Sequence, residues 1–158
     1  MSFDVVRSYL EGRGFGDRII ELDQSIATVQ LAADAIGTEP ARILKTLSFK
    51  DGEGALLVCL AGDVRIDNRK FKETFSIKPK MLSAEEAVEL VGHAIGGVCP
   101  FAVRPGCRIF FDESLRRFDE VYPAAGSSNT AVRLSLEEAE LLASPEGWVD
   151  VAKYVEAG

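Results

Sequence analysis

The sequence predicts an α+β fold: a mixed sheet flanked by helices. Helical and extended patterns alternate along the 158 residues. Two pairs of neighbouring strand patterns are joined by tight turns, at 51–54 and 126–129. A doubly wound parallel sheet would need a crossover of a dozen or more residues at each parallel join, so a mixed sheet fits better.

Taken in order, Phe3, Val6 and Leu10 recur at helical spacing until Gly12 and Gly14 end the pattern. Residues 18–23 predict a short strand. Val29, Ala32, Ala33 and Ile36 fall at i, i+3, i+4 and i+7, with Thr28 placed to cap and Gly37 to stop. Residues 43–50 alternate as a strand, 51–54 turn, and 55–61 return as a nearly continuous apolar strand of the kind buried on both faces. A helix is expected over 67–75. Ser83-Ala-Glu-Glu86 is a capping box that opens a helix closing at Gly92. Beyond a Gly/Pro loop, strands are expected at 108–112, 120–124 and 130–136. Ser135-Leu-Glu-Glu138 opens a last helix that runs to about Ala143, before Pro145.

No repeat, low-complexity segment or linker divides the chain, so 1–158 is expected to be one domain. A hydrophobic content of 47% against 27% charged residues is that of a globular rather than a disordered protein. Uncharged runs stop well short of the roughly 18 apolar residues a membrane span requires, and the first residues lack a signal-peptide pattern. A cytoplasmic protein is the expectation. The three cysteines, Cys59, Cys99 and Cys107, are never spaced as Cys-x-x-Cys, and with one histidine they make no metal constellation.

The net charge of −7 argues against a protein that coats nucleic acid non-specifically, but the charge is unevenly spread. Residues 65–80 hold six basic and two acidic side chains, a net of +4, which leaves −11 for the rest.

Strand alternation puts Lys45 on the same face as Ile43, Leu47 and Phe49. A lysine there either snorkels at the strand end or points its ammonium into a pocket. Gly92-His-Ala-Ile-Gly-Gly-Val-Cys-Pro-Phe101 gathers three glycines and a proline around one loop. Such a segment is able to present backbone N–H groups to an oxyanion, or is simply a helix C-cap followed by a turn. His93 and Cys99 admit a thiol nucleophile with a base, or a loop cysteine beside a packed histidine.

Ile43-Leu-Lys-Thr-Leu-Ser-Phe49, Gly62-Asp63, Gly92-x-x-x-Gly-Gly-Val-Cys-Pro-Phe101 and Val121-Tyr-Pro-Ala-Ala-Gly126 resemble, in order, the YbaK/EbsC family. Its members are free-standing relatives of the editing domain inserted in bacterial prolyl-tRNA synthetase. The likeness extends from about Ser25 to Leu142. It implies a strongly curved, partly barrel-like sheet. It also implies metal-independent and cofactor-independent hydrolysis of the ester on a mischarged tRNA, typically tRNA-Pro carrying Cys, Ala, Ser or Thr. The partners implied are the aminoacyl-tRNA acceptor end and prolyl-tRNA synthetase. A non-catalytic module that binds aminoacyl-tRNA or a synthetase is the alternative.

By the same resemblance Lys45 matches the family's pocket lysine, and Gly96-Gly-Val-Cys-Pro100 matches its substrate loop. Lys45, Gly96 and Gly97 are then the catalytic candidates. Thr46, His93, Val98, Cys99, Pro100, Ala124 and Gly126 are substrate-binding candidates. Arg65, Arg69 and Lys70, in the basic segment, are candidates for the tRNA phosphates. Three positions depart from the pattern. Ala124 stands where the cysteine-clearing branch carries serine, Thr46 where the alanine-clearing branch often has Asn, and His93 where relatives often carry Tyr or Phe.

Overall fold

The computed structural model describes residues 2–155; position 1 and positions 156–158 of the expected domain lie outside the described residues. Helix α1 (Ser2–Glu11) turns Val6 and Leu10 fully into the core. Helix α2 (Val29–Ile36) starts where Thr28 Oγ1 accepts the Leu31 N–H at 3.2 Å, and stops at Gly37, whose φ of 85° is the left-handed cap. Strand β1 (Ile19–Glu21) lies between them in sequence.

Strands β2 (Ile43–Asp51) and β3 (Gly54–Ala61) form the antiparallel hairpin that the turn signal predicts, with Lys45 opposite Leu60. Every residue of β3 after Gly54 is buried, as expected for a strand flanked on both sides. Its other neighbour is β5 (Cys107–Asp112), parallel to it. The remaining strands are β4 (Val64–Ile66), β6 (Glu120–Pro123), β7 (Thr130–Val132), β8 (Leu134–Ser135), β9 (Gly147–Val149) and β10 (Ala152–Tyr154). Six of the strands form one sheet in the order β8-β6-β2-β3-β5-β9, with parallel joins at β2–β6, β3–β5 and β5–β9. This sheet curls into a half-barrel, so the fold is α+β with a strongly curved mixed sheet. Two small ladders, β1–β7 and β4–β10, complete it.

Helix α3 (Asn68–Phe75) is capped by Asp67, whose carboxylate accepts the Lys70 N–H at 3.0 Å. It buries Phe71 in a chain of rings, Phe49–Phe71–Phe75–Phe110, with centroids 4.8–5.1 Å apart. The Ser83 box forms in both directions and opens α4 (Ala84–Glu86). The helix then widens into a π turn, Ala87–Val91, before Gly92 ends it at φ 97°. Helix α5 (Leu136–Ala143) opens on the second box, at Ser135.

Two differences from the sequence pattern have physical causes. The single strand expected over 130–136 is split at Arg133, because β7 pairs with β1 while β8 pairs with β6. Strands β4, β9 and β10 are three residues each, too short for alternation to announce them.

Candidate active site

A cavity of about 260 Å³ opens where α2, β2, β6 and the loop after Gly92 meet. Thr28, Val29, Ala32 and Ile36 line it from α2 and its cap. Residues 43–48 of β2 line it with Lys45 and Thr46 among them, β6 and the residues after it contribute Tyr122 and Ala124, and the loop supplies Ile95, Gly96 and Val98. Met81 stands at the same cavity, half-exposed. The lining is mostly apolar with a few polar groups, the usual make-up of a small-ligand site.

Lys45 does not simply snorkel. Its side chain is part-buried and Nζ donates to the Val64 carbonyl. Burial pushes the lysine below its ordinary value of 10.5, opposed by the nearby Asp63 carboxylate. Asp63 is itself gripped by Arg117, whose two terminal nitrogens lie 2.9 and 2.6 Å from its oxygens. That bidentate pair, more than Lys45, holds the Asp63 carboxyl below the usual carboxylate range. Lys45 therefore faces a carboxylate that already has a partner. An ammonium has three donors, so the Val64 bond leaves two for a ligand. Asp63 and Arg117 do not line the cavity and act on it through Lys45; Gly62-Asp63 is part of the family resemblance, whereas nothing in the sequence points to Arg117, which arrives from a distant segment.

The loop is built by close approach. Gly96 has φ 96° and Gly126 φ 98°, conformations that glycine adopts without penalty. A Cβ on Gly97 would stand 2.5–2.7 Å from the Gly126–Ser127 backbone, so only glycine fits there. The Gly97 N–H already donates to the Ala94 carbonyl at 3.0 Å, closing the turn. Among the described residues, the Gly96 and Val98 amides have no protein acceptor.

His93, Cys99 and Pro100 are buried and do not line the cavity; Gly97 and Gly126 pack against each other just outside it. His93 Nε2 lies 2.8 Å from the Phe101 carbonyl, which fixes the ring proton on that nitrogen. Nδ1 then accepts from the Ser2 hydroxyl. Cys99 Sγ is 3.6 Å from Nε2, and burial pushes its thiol up to about 12. A thiol in that state is a poor nucleophile.

Of the basic segment, Arg65 is exposed on β4, directly after Val64. Arg69 pairs with Glu73 at 3.1 Å, and Lys70 reaches Asp150 at 3.1 Å and the Ala152 carbonyl at 3.0 Å. None of the three lines the cavity. No described helix is long and apolar enough to cross a membrane.

Residues 23–141 match the family model of the aminoacyl-tRNA editing domain. An uncharacterized protein of Bacillus subtilis (strain 168), YwhH, is 41% identical over 154 residues, spanning 97% of this chain and 98% of its own. Part of the proline–tRNA ligase of Thermotoga maritima is 27% identical over 79 residues, which are 49% of this chain and 14% of the ligase. Among solved structures, one described as a candidate trans-editing enzyme for prolyl tRNA synthetase superposes with a TM-score of 0.86 at 33% identity, covering 96% of this chain and 97% of its own. The hypothetical protein APE2540 superposes at 0.82 with 28% identity, over 94% of this chain and 99% of its own. The chain belongs to the aminoacyl-tRNA editing domain family.

Proposed function

We propose that this protein is an aminoacyl-tRNA deacylase that clears a small amino acid, one of Cys, Ala, Ser or Thr, wrongly attached to tRNA-Pro, acting in the cytoplasm beside prolyl-tRNA synthetase. The observation that carries the proposal is the meeting of Lys45 and the Gly96 loop at one small cavity. The volume of about 260 Å³ suits a short aminoacyl group with its ribose rather than a bulky side chain.

The chemistry needs little machinery. A water attacks the ester carbonyl carbon, the tetrahedral intermediate carries its charge on the former carbonyl oxygen, and collapse breaks the bond to the ribose oxygen, which leaves with a proton. Lys45 holds the terminal phosphate or the ester region by charge-assisted hydrogen bonds. The free amides of Gly96 and Val98 are the donors for the developing oxyanion. Gly97, whose N–H is occupied by Ala94, serves by keeping the turn tight. Thr46, Ala124 and Val98 shape the space for the side chain. Arg65, Arg69 and Lys70 take the acceptor-stem phosphates, and of these Arg65 is the one without an acidic partner among the described residues. One methylene in such a pocket is worth about 1–3 kcal/mol, so the choice among small amino acids is a modest one.

The test is deacylation of tRNA-Pro charged in turn with Cys, Ala, Ser, Thr and Pro, with Lys45→Ala alongside. At least one mischarged species should be cleared well above the spontaneous rate. Lys45→Ala, with circular dichroism unchanged, should lose about 10²–10³-fold, as when an electrostatic group of the reaction is removed. Binding of tRNA with no turnover on any species would make the protein a non-catalytic module instead.

A further inference from the structure

The amino-terminal turn of α1 is joined to the cavity loop through the only histidine in the chain. His93 is 1% exposed, yet both ring nitrogens are engaged, Nε2–H to the Phe101 carbonyl and Nδ1 to the Ser2 hydroxyl. A second contact runs in parallel. A Cβ on Gly126 would stand 2.9–3.0 Å from the Ser2 carbonyl and Phe3 Cα, while one on Gly97 would strike Gly126 and Ser127. Ser2, Gly126 and Gly97 are thus stacked backbone on backbone, and His93 ties the stack to both ends of the loop that carries Gly96 and Val98.

We propose that His93 is a positioning residue for this loop: its neutral Nε2–H tautomer braces the loop between Ser2 and Phe101, and protonation at Nδ1 reverses the Ser2 bond and puts an uncompensated charge in a buried place, loosening the brace so that site geometry is lost in acid. The proposal rests on the deacylase reading for its effect on activity, but not for its effect on the loop.

The electrostatics agree. Desolvation lowers the His93 pKa from its ordinary 6.5, and only the Phe101 carbonyl opposes it. On the loop, the titratable neighbour is the Cys99 thiol, neutral at physiological pH. Arg104 lies against Gly92 and is no partner for an imidazolium. On α1, Asp4 is exposed and Arg7 pairs with Glu21 at 2.9 Å. Residues 126–129 bring no titratable side chain. A proton placed on Nδ1 would meet no carboxylate among the described residues, and the Ser2 hydroxyl, which donates to the neutral ring, would have to turn over and accept instead.

Because there is one histidine, its ring gives a single set of nitrogen signals in ¹⁵N-labelled protein. At neutral pH those signals should report the Nε2–H tautomer, with a titration midpoint below 6.5. The methyl signals of Ile95 and Val98 should shift with the same midpoint. Ser2→Ala should raise the midpoint, because the neutral ring loses its donor, and lower kcat about 5–10-fold with a smaller change in KM. His93→Gln keeps a donor and an acceptor but no titration, so it should abolish the acidic limb of the pH profile, read as the ratio of acidic to neutral kcat within the same variant. An Nδ1–H tautomer, a midpoint at or above 6.5, or loop methyls indifferent to the histidine titration would overturn the proposal. Coupled methyl and imidazole titrations in a protein that clears no aminoacyl-tRNA would support the brace and remove the deacylase reading.

Discussion

Lys45 illustrates how one residue's chemistry is set by its second neighbour. Part-burial lowers a lysine's pKa, and an unpaired carboxylate would draw it into a closed ion pair. Asp63 is kept from doing so by Arg117, at 2.6–2.9 Å. Arg117→Ala should therefore leave Asp63 to Lys45, raise the lysine's pKa, and slow deacylation about tenfold at neutral pH while tRNA binding stays nearly unchanged. Rate and equilibrium binding measured on the same preparation check this; a proportional loss of both would point to a binding role for Arg117. Cys99→Ser should deacylate at close to the parent rate, since the thiol is buried and its pKa is about 12. Loss of all turnover in a folded Cys99→Ser protein would revive a thiol mechanism.

At the scale of elements, two of the glycines in the site are conformational and one is steric. Gly97→Ala must push its new methyl into the Gly126–Ser127 backbone, where no flexible side chain can give way. It should cost about 1–3 kcal/mol, as overpacking does, and reduce activity further than stability predicts because the loop moves. Urea melts paired with initial rates separate the two effects. Thr28→Ala, which removes the α2 cap beside the cavity, should cost about 1 kcal/mol and leave Lys45 in place.

The elements most legible in the sequence were those with local causes. The cap at Thr28, the boxes at Ser83 and Ser135, the 51–54 turn and the double-sided burial of β3 all follow from spacing within a dozen residues. Less legible were features decided by distant pairing. Nothing near Arg133 tells β7 and β8 to take different partners. The site divides the same way. Lys45 and Gly96 stood out by residue type and pattern, whereas Arg117 reaches Asp63 across 54 residues and Ser2 reaches His93 across 91. A resemblance to a family gathers such long-range pairs only where the residues match, and His93 is where this chain departs.

For the whole molecule, charge and pH act in one direction on the acid side. Asp63, Asp67, Glu86 and Glu138 have carboxyls lowered by hydrogen bonds and cationic neighbours, Glu86 to about 2. Their contribution is present above the ordinary carboxylate values and is lost as pH falls through the lowered ones. His93, also lowered, is protonated more readily in the unfolded chain, so it too withdraws stability as pH drops below 6.5. Lys45 acts with the same sign in a higher range: its burial becomes less unfavourable, and the fold more stable, as pH rises toward 10.5. Thermal melts should therefore fall from about pH 6.5 downward, and His93→Gln should flatten the part of that fall nearest 6.5. With a net charge of −7 and a positive segment of +4, the affinity for tRNA should fall with salt on a shallow slope set by few phosphates. Arg65→Glu should weaken binding more than Arg69→Glu, whose parent arginine already pairs with Glu73.

The order β8-β6-β2-β3-β5-β9 also sets a clock. Among the described ladders of this sheet, β2–β3 alone closes through a short turn; Ala55 must find Cys107, and Ile43 must find Tyr122, before their ladders gain anything. Non-local joins of this kind put a domain among the slower folders, in milliseconds to seconds rather than microseconds. The single tryptophan, Trp148, sits on the edge strand β9 against Phe111 with ring centroids 5.4 Å apart, so its fluorescence reports completion of the sheet rather than its nucleation. Stopped-flow refolding should show backbone ellipticity from the hairpin and helices leading the Trp148 signal.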